Sequence, residues 1–297
     1  MTIEELWQQF LYHLRVKRRS KATVRYYDVT RRTLLRFLAE HDLPSEAEQV
    51  TILHLRHFLI WLEERGLAAG GVHAHARAVR AVFNWGLKEE LLVANPARRL
   101  ELPSLPCERQ PTVNPELVKM LVKAAKGTEQ PLRDTALVLV LFDTGLRIHE
   151  LLNLTTAHLL FDRGLLQVMG KGNKQRFVPI GVKAMQAVNS YLRRDWSPQH
   201  EGVRQVFLGR WGLPLTVSGA SIRLAKLGAQ LNLDRSQTAP HAFRRGFAVE
   251  FVRNGGDVFT LQQIMGHRSL EMTRQYVMFL DDDLKAAHLR FSPVDNL

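Results

Sequence analysis

The sequence predicts a mainly helical protein with one small antiparallel β-sheet, an α+β chain in two domains. Three observations predict this. Apolar residues recur at helical spacing from Leu6 to Leu92. A proline-bearing stretch from Asn95-Pro96 to Pro111 then interrupts the pattern. Beyond it the spacing is helical again, except between His158 and Ile180, where short apolar runs alternate with turn residues. With 297 residues and 45% apolar content, the chain is long enough for two ordinary domains, each with its own core.

The elements follow in order. Leu6, Phe10, Leu11 and Leu14 mark a first helix. Ser20 is a cap for a second, with Val24, Tyr27, Leu34, Leu35 and Leu38 as its apolar positions. Thr51 caps a third, which runs to Gly66 through Leu55, Phe58, Leu59 and Leu62. A fourth spans about Val72 to Leu92 and carries Val79, Val82, Phe83 and Trp85. Four helices in so short a stretch make a small bundle, assigned to residues 1–98. Residues 99–112, with Pro103, Pro106 and Pro111, form an extended linker. The second domain is residues 113–297. Asn114-Pro115-Glu116 opens it with a cap, a proline at the first helical position and an acid in the first turn. An apolar helix over about Leu132 to Phe142 ends near Gly145. Leu159-Leu160-Phe161, Leu165 to Val168 and Arg176 to Ile180 are strands, joined by the Asp162-Arg163-Gly164 turn and by Gly170-Lys171-Gly172-Asn173-Lys174. The remainder is mostly helical, with stops at Gly255-Gly256 and Gly266.

Charge narrows the partners. The 41 lysines and arginines outnumber the 29 acids and give a formal charge of +12, which favours a polyanion. Between Arg15 and Arg36 stand nine basic residues and the single acid Asp28. Of these, Arg15, Lys17, Arg18, Arg19, Lys21, Arg25, Arg31 and Arg32 are candidate phosphate contacts. Cys107 is the only cysteine, which excludes an intrachain disulfide and suits a reducing compartment. The start lacks the basic and apolar regions of a signal peptide, and the most apolar run, Ala136 to Phe142, is too short to span a bilayer. A soluble, cytoplasmic protein without a membrane role is expected.

Several short motifs carry chemistry. Thr144-Gly145-Leu146-Arg147-Ile148-His149-Glu150 sets Arg147 just after a glycine turn, where helix N–H groups favour an anion, with Glu150 placed to orient a neighbouring cation. Lys171 and Lys174 lie in a hairpin turn from which a lysine can give a proton to a leaving oxygen. His241 and Arg244 share a helix face at i, i+3, with Arg245 beside them. His267 follows Gly266 at a turn, next to Arg268, and Tyr276 comes nine residues later. Taken singly, each has a bland alternative: a surface ion pair, a solvated turn or a core aromatic. His73-Ala74-His75 is the one metal-like pair, and a solvated helix surface explains it better, so no metal site is assigned.

Taken together, the segments TGLRIHEL, GKGNKQRFVPI, HAFRRGFA and MGHRSLEMTRQY, behind a bundle ending in NPARRLELP, resemble the tyrosine recombinase (phage integrase) family, closest in layout to its Xer-type members. The resemblance covers nearly the whole chain. It implies a SAM-like core-binding bundle followed by a catalytic domain, forming a clamp on duplex DNA. It also implies the catalytic set Arg147, Lys171, His241, Arg244, His267 and Tyr276, with Glu150 in support. In that scheme Tyr276 attacks the scissile phosphate to give a 3′-phosphotyrosine. Arg147 and Arg244 stabilise the phosphorane, and Lys171 protonates the leaving 5′-oxygen. His241 bonds the phosphate or takes the tyrosine proton, and His267 donates to a non-bridging oxygen. Lys174, Arg245 and Arg268 join the DNA contacts. The resemblance calls for neither metal, ATP nor other cofactor. It implies a homo- or hetero-tetramer on a double-stranded recombination site, with a partner recombinase or accessory factor as a further possibility, and a nucleoid-associated location. His149 and Arg268 stand where many relatives have small residues. A type IB topoisomerase and a DNA-binding regulator without catalysis are the competing readings.

Overall fold

The computed structural model of the protein describes residues 1–105, 110–170, 175–267, 269–271, 285 and 288–295. Cys107, Lys171, Lys174, Arg268 and Tyr276 lie outside the described residues. The chain divides into two compact units, Met1–Glu108 and Arg109–Leu297.

The first unit is built on four helices: α1 (Ile3–Val16), α2 (Lys21–Glu40), α3 (Ile52–Glu64) and α4 (Ala69–Lys88). Side-chain caps set the starts of three. Thr2 and Glu5 form a reciprocal capping box on α1, Ser20 accepts from the Thr23 amide, and Thr51 accepts from the His54 amide. Helix α4 has no such cap and starts at Ala69, ahead of the start near Val72 that the apolar spacing suggests. Its buried face, Val72, Ala76, Val79, Val82 and Phe83, supplies the stability that its first turn lacks. The core joins Trp7, Phe10, Phe37, Phe58 and Phe83. Phe10 meets Tyr27 and Trp85 edge-on, with centroids 4.8 and 5.3 Å apart.

The basic run occupies the end of α1, the turn that follows and α2. Arg15, Lys17, Arg18, Arg19, Lys21, Arg25 and Arg32 are exposed. Arg31 differs. Its guanidinium turns inward onto Glu4 (2.5 Å) and Asp28 (2.9 Å), with the side chain 15% exposed. The carboxylates of Glu4 and Asp28 claim it because its position on α2 faces α1 rather than solvent.

The second unit centres on α6 (Pro131–Thr144), which is buried on nearly all sides by α5 (Pro115–Ala125), α8 (Val182–Arg194) and α10 (Pro240–Arg253). Two of its charges are internal. Arg133 and Asp134 pair at 2.5 Å, each side chain 1% exposed, and Arg133 also donates to the Leu208 carbonyl. After α6 come the five-residue α7 (Ile148–Leu152) and an antiparallel sheet of β1 (Leu159–Leu160), β2 (Leu165–Met169) and β3 (Gln175–Pro179), in that spatial order. Leu166 faces Val178, and Val168 faces Arg176, in register. Leu166, Val168 and Val178 are buried, so Arg176 occupies the core side of the sheet. Helices α9 (Val217–Ala229) and α11 (Val258–Met265) complete the unit.

The stretch before α5 is stitched to α10. The Val113 amide donates to the Ala242 carbonyl at 3.1 Å, and Arg245 donates to the Pro111 carbonyl at 2.8 Å. Gly246 permits this approach, because a Cβ there would collide with the Val113 carbonyl. Gly246→Ala is therefore expected to cost about 1–3 kcal/mol, read as a lower urea midpoint. Gly127→Ala, whose Cβ would meet only a carbonyl oxygen at 3.6 Å, should leave that midpoint within about 0.5 kcal/mol of wild type.

Candidate active site

The site is assembled at the C-terminal end of α11. Asp257 caps the start of this helix, accepting from the Phe259 and Thr260 amides at 2.9 Å. Gly266 ends it in the left-handed region, φ +64°. The last carbonyls of a helix lack intrahelical donors and carry the negative end of its dipole. Three arginines supply donors here. Arg176 Nε reaches the Ile264 carbonyl at 3.2 Å, while Arg244 Nη2 and Arg147 Nη1 reach the Met265 carbonyl at 2.9 and 3.4 Å. A side chain at residue 266 would be strained by its φ and would stand 3.1 Å from the Arg176 guanidinium carbon.

Glu150 is the counter-charge. Its Oε2 accepts from the Arg147 amide at 3.0 Å and from Arg176 Nη2 at 2.9 Å. Its Oε1 accepts from Arg147 Nη1 at 3.1 Å and Arg176 Nη1 at 3.0 Å. Burial alone would push this carboxyl up. Arg176, by hydrogen bond and charge, and then Arg147 outweigh burial and hold it below the ordinary carboxylate range. The sequence suggests an external anion at the start of α7; at the Arg147 amide the structure shows the Glu150 carboxylate in that role.

Arg244 is 1% exposed. Its Nη1 donates to the Gly145 carbonyl at 2.5 Å, and its Nη2 lies 2.7 Å from His267 Nε2. A guanidinium can only donate, so Nε2 accepts and the neutral ring carries its proton on Nδ1. Burial, then the charges of Arg244, Arg147 and Arg176, lower the His267 pKa to about 4, against a smaller opposing effect of Glu150. His241 stands at the first turn of α10. Partial burial of its ring and the charges of Arg244, Arg245 and Arg147 lower its pKa as well. Arg147 is the open guanidinium of the group, its side chain 36% exposed. Arg147, Arg176 and Arg244 against Glu150 leave the cluster with an excess of positive charge while both histidines are neutral. Such a cluster is suited to an anion.

Arg147, Glu150, Arg244 and His267 thus come together, with His241 close enough to feel the arginine charges. Arg245 instead binds the chain at Pro111, and His149 is exposed. Arg176 is absent from the sequence-derived set. The alternation of β3 marks it, since Arg176 shares the inward side with buried Val178, and a charge there requires a partner.

A family model described as the phage integrase family matches residues 112–282, and one described as the phage integrase SAM-like domain matches residues 4–101. The chain belongs to the phage integrase family. It is a tyrosine recombinase, with curated relatives of that class across its length. Tyrosine recombinase XerD of Halalkalibacterium halodurans is 28% identical over 98% of this chain and 99% of that protein. Tyrosine recombinase XerC of Xanthomonas axonopodis pv. citri is 32% identical over 79% of this chain and 75% of that protein. Among solved structures, the Tn1549 transposon integrase in complex with a circular intermediate DNA shares the fold at TM-score 0.79 and 21% identity, covering 98% of this chain and 99% of that one. A lambda integrase (75–356) dimer bound to a COC′ core site gives 0.72 at 16% identity, over 92% of this chain and 97% of that one. The mainly helical α+β architecture matches theirs.

The sign of the His267 shift fixes a pH dependence. Its folded pKa lies below the unfolded value of 6.5, so the unfolded chain binds the proton first. The ring's contribution to stability is complete above about 6.5 and is lost as pH falls toward about 4. An NMR titration should find the His267 midpoint near 4, and Arg244→Gln should raise it; a wild-type midpoint near 6.5 would contradict a buried ring paired with arginine.

Proposed function

We propose that this protein recombines duplex DNA at a specific site by a metal- and ATP-independent transesterification. The observation that carries the proposal is the positively charged cluster of Arg147, Arg176, Arg244 and His267 at the end of α11, with Arg147 open to solvent. In the sequence Tyr276 follows His267 by nine residues. Tyr276 Oη attacks the scissile phosphorus, the P–O5′ bond breaks, and a 3′-phosphotyrosine and a 5′-hydroxyl result. Lys171 gives the proton to the departing oxygen. Arg147 binds the non-bridging oxygens directly. Arg244 acts from beneath, where low dielectric strengthens its field on the phosphorane and where it holds His267. The neutral His267 ring presents Nδ1–H as its donor. His241, neutral at pH 7, accepts the tyrosine proton or bonds the phosphate. Rejoining reverses these steps with a second strand as nucleophile, through a Holliday junction.

In this reading residues 1–98 bind the core site, 99–112 link, and 113–297 catalyse. The exposed basic residues Arg15, Lys17, Arg18, Arg19, Lys21, Arg25 and Arg32, with Lys174 and Arg268, contact phosphates. The protein assembles as a tetramer on two sites, of one recombinase or of two; the lambda integrase relative is a dimer on its own core site. A DNA substrate supports a cytoplasmic, nucleoid-associated location. Among the described residues no helix is long and apolar enough to cross a membrane.

The test is covalent trapping in EDTA on DNA from around the protein's own locus. Wild type should give a band that survives denaturation, and Tyr276→Phe should bind the same DNA without attachment. An adduct with the phenylalanine variant would put the nucleophile elsewhere. Relaxation of supercoils without exchange between two sites would favour the topoisomerase. Arg147→Ala should slow attachment by roughly 10²–10³-fold. DNA affinity should fall steeply between 50 and 200 mM salt, by roughly 10³–10⁵ for six to ten phosphate contacts; insensitivity to salt would argue against the proposed phosphate contacts.

A further inference from the structure

We infer that Arg176 is a positioning residue of the active site: its fork onto Glu150 sets the place of the Arg147 guanidinium. The inference rests on the recombinase reading for its catalytic consequence, though not for its geometry.

The argument starts from a misplaced charge. Register puts Arg176 opposite Val168, on the side of the sheet where Leu166, Val168 and Val178 are buried. A guanidinium there must be paired. It is paired in the strongest way available to it, two near-parallel bonds of 3.0 and 2.9 Å to the two oxygens of Glu150. The third donor, Nε, takes the Ile264 carbonyl at 3.2 Å. One side chain therefore ties β3 to α7 and to the end of α11.

Glu150 is what Arg147 leans on. The same two oxygens hold the Arg147 amide and its Nη1. Each oxygen thus has one donor from each arginine, a symmetric arrangement that fixes the carboxylate plane. Without Arg176, two of its four bonds vanish. The carboxylate is then free to rotate, and its burial is less compensated. Arg147, left with a long 3.4 Å bond to the Met265 carbonyl, loses its fixed direction. The ionisable groups facing Glu150 are Arg147 at the start of α7, Arg176 on β3 and the neutral His267 beyond α11. Arg176 also stands five residues after Lys171 in the chain, and β3 is joined through Glu150 to Arg147. A lysine at residue 176 could keep the charge and one bond but not the fork.

The test has a DNA-free readout and a chemical one. Side-chain ¹H–¹⁵N spectra of arginine, with Arg147→Lys to assign the signal, should show a slowly exchanging, rotationally restrained Arg147 Nη–H in wild type, as its Nη1 bond to Glu150 requires. Arg176→Gln should lose it while the backbone spectrum persists; Glu150→Gln should lose it too, and this carries the test if Arg176→Gln fails to fold. An unchanged Arg147 signal in either variant overturns the inference. On nicked duplexes from around the protein's own locus, Arg176→Gln should bind within about threefold of wild type yet attach at least tenfold more slowly, and Arg176→Lys should recover part of the rate. Attachment of Arg176→Gln at the wild-type rate also overturns it. Loss of the Arg147 signal with no attachment by wild type would instead overturn the recombinase reading, leaving the positioning of Arg147 as observed.

Discussion

The active cluster depends on one constraint, the unmet carbonyls at the end of α11. Like charges about 5 Å apart in a medium of effective dielectric about 20 repel by roughly 3 kcal/mol. Three guanidiniums do not gather without compensation of that order. It comes from two adjacent carbonyls, Ile264 and Met265, from the helix dipole behind them, and from the single carboxylate of Glu150. The compensation is partial. Positive charge remains in excess, and a phosphodiester can supply the balance. Burial, and then the same field, explain why His267 stays neutral well below the ordinary histidine range, and hence why it accepts from Arg244 rather than repelling it.

The scaffold serves that end. Helix α6 is buried on nearly every side, so its C-terminus is a fixed point. Gly145 turns the chain there with φ +58° and leaves its carbonyl facing Arg244. A Cβ at that glycine would strike the Phe247 ring, so α10 packs close against the turn. Arg147 begins α7 two residues later. The buried pair of Arg133 and Asp134 fastens the other end of α6 to the Leu208 carbonyl. Packing thus sets the backbone around the cluster, and electrostatics sets the side chains within it.

Much of this was legible in the sequence wherever the signal is local. Ser20, Thr51 and Asn114 act as caps because a short polar side chain beside an apolar period has few other roles. Gly145 and Gly266 adopt left-handed conformations at helix ends, as expected of glycines there. The start of α4 was less legible. The apolar spacing begins it near Val72, yet tertiary burial of the residues after Gly70 and Gly71 carries the helix back to Ala69. Its end is misjudged for a similar reason: Leu92 packs into the core after a turn at Glu90, φ +58°, rather than by continuing the helix. Arg31 looks like its neighbours in a basic run and is set apart only by two carboxylates in space. Within the site, the order of motifs points to Arg147, Glu150, Arg244 and His267. It is silent on which donor meets which acceptor, because those pairings join residues up to 118 positions apart.

The seam between residues 111–113 and α10 has a mechanical meaning. A tether is felt where it is first fastened, and here the fastening is Pro111 and Val113 on Arg245 and Ala242. These residues flank Phe243 and Arg244 in the first turns of the helix that also carries His241. Tension along the preceding chain is thus delivered to the turn that bears the buried arginine before it reaches α5. A displacement of that turn shifts Arg244 and, through it, His267. Residues 111–113 and the first turns of α10 are thereby held as one piece with Arg244.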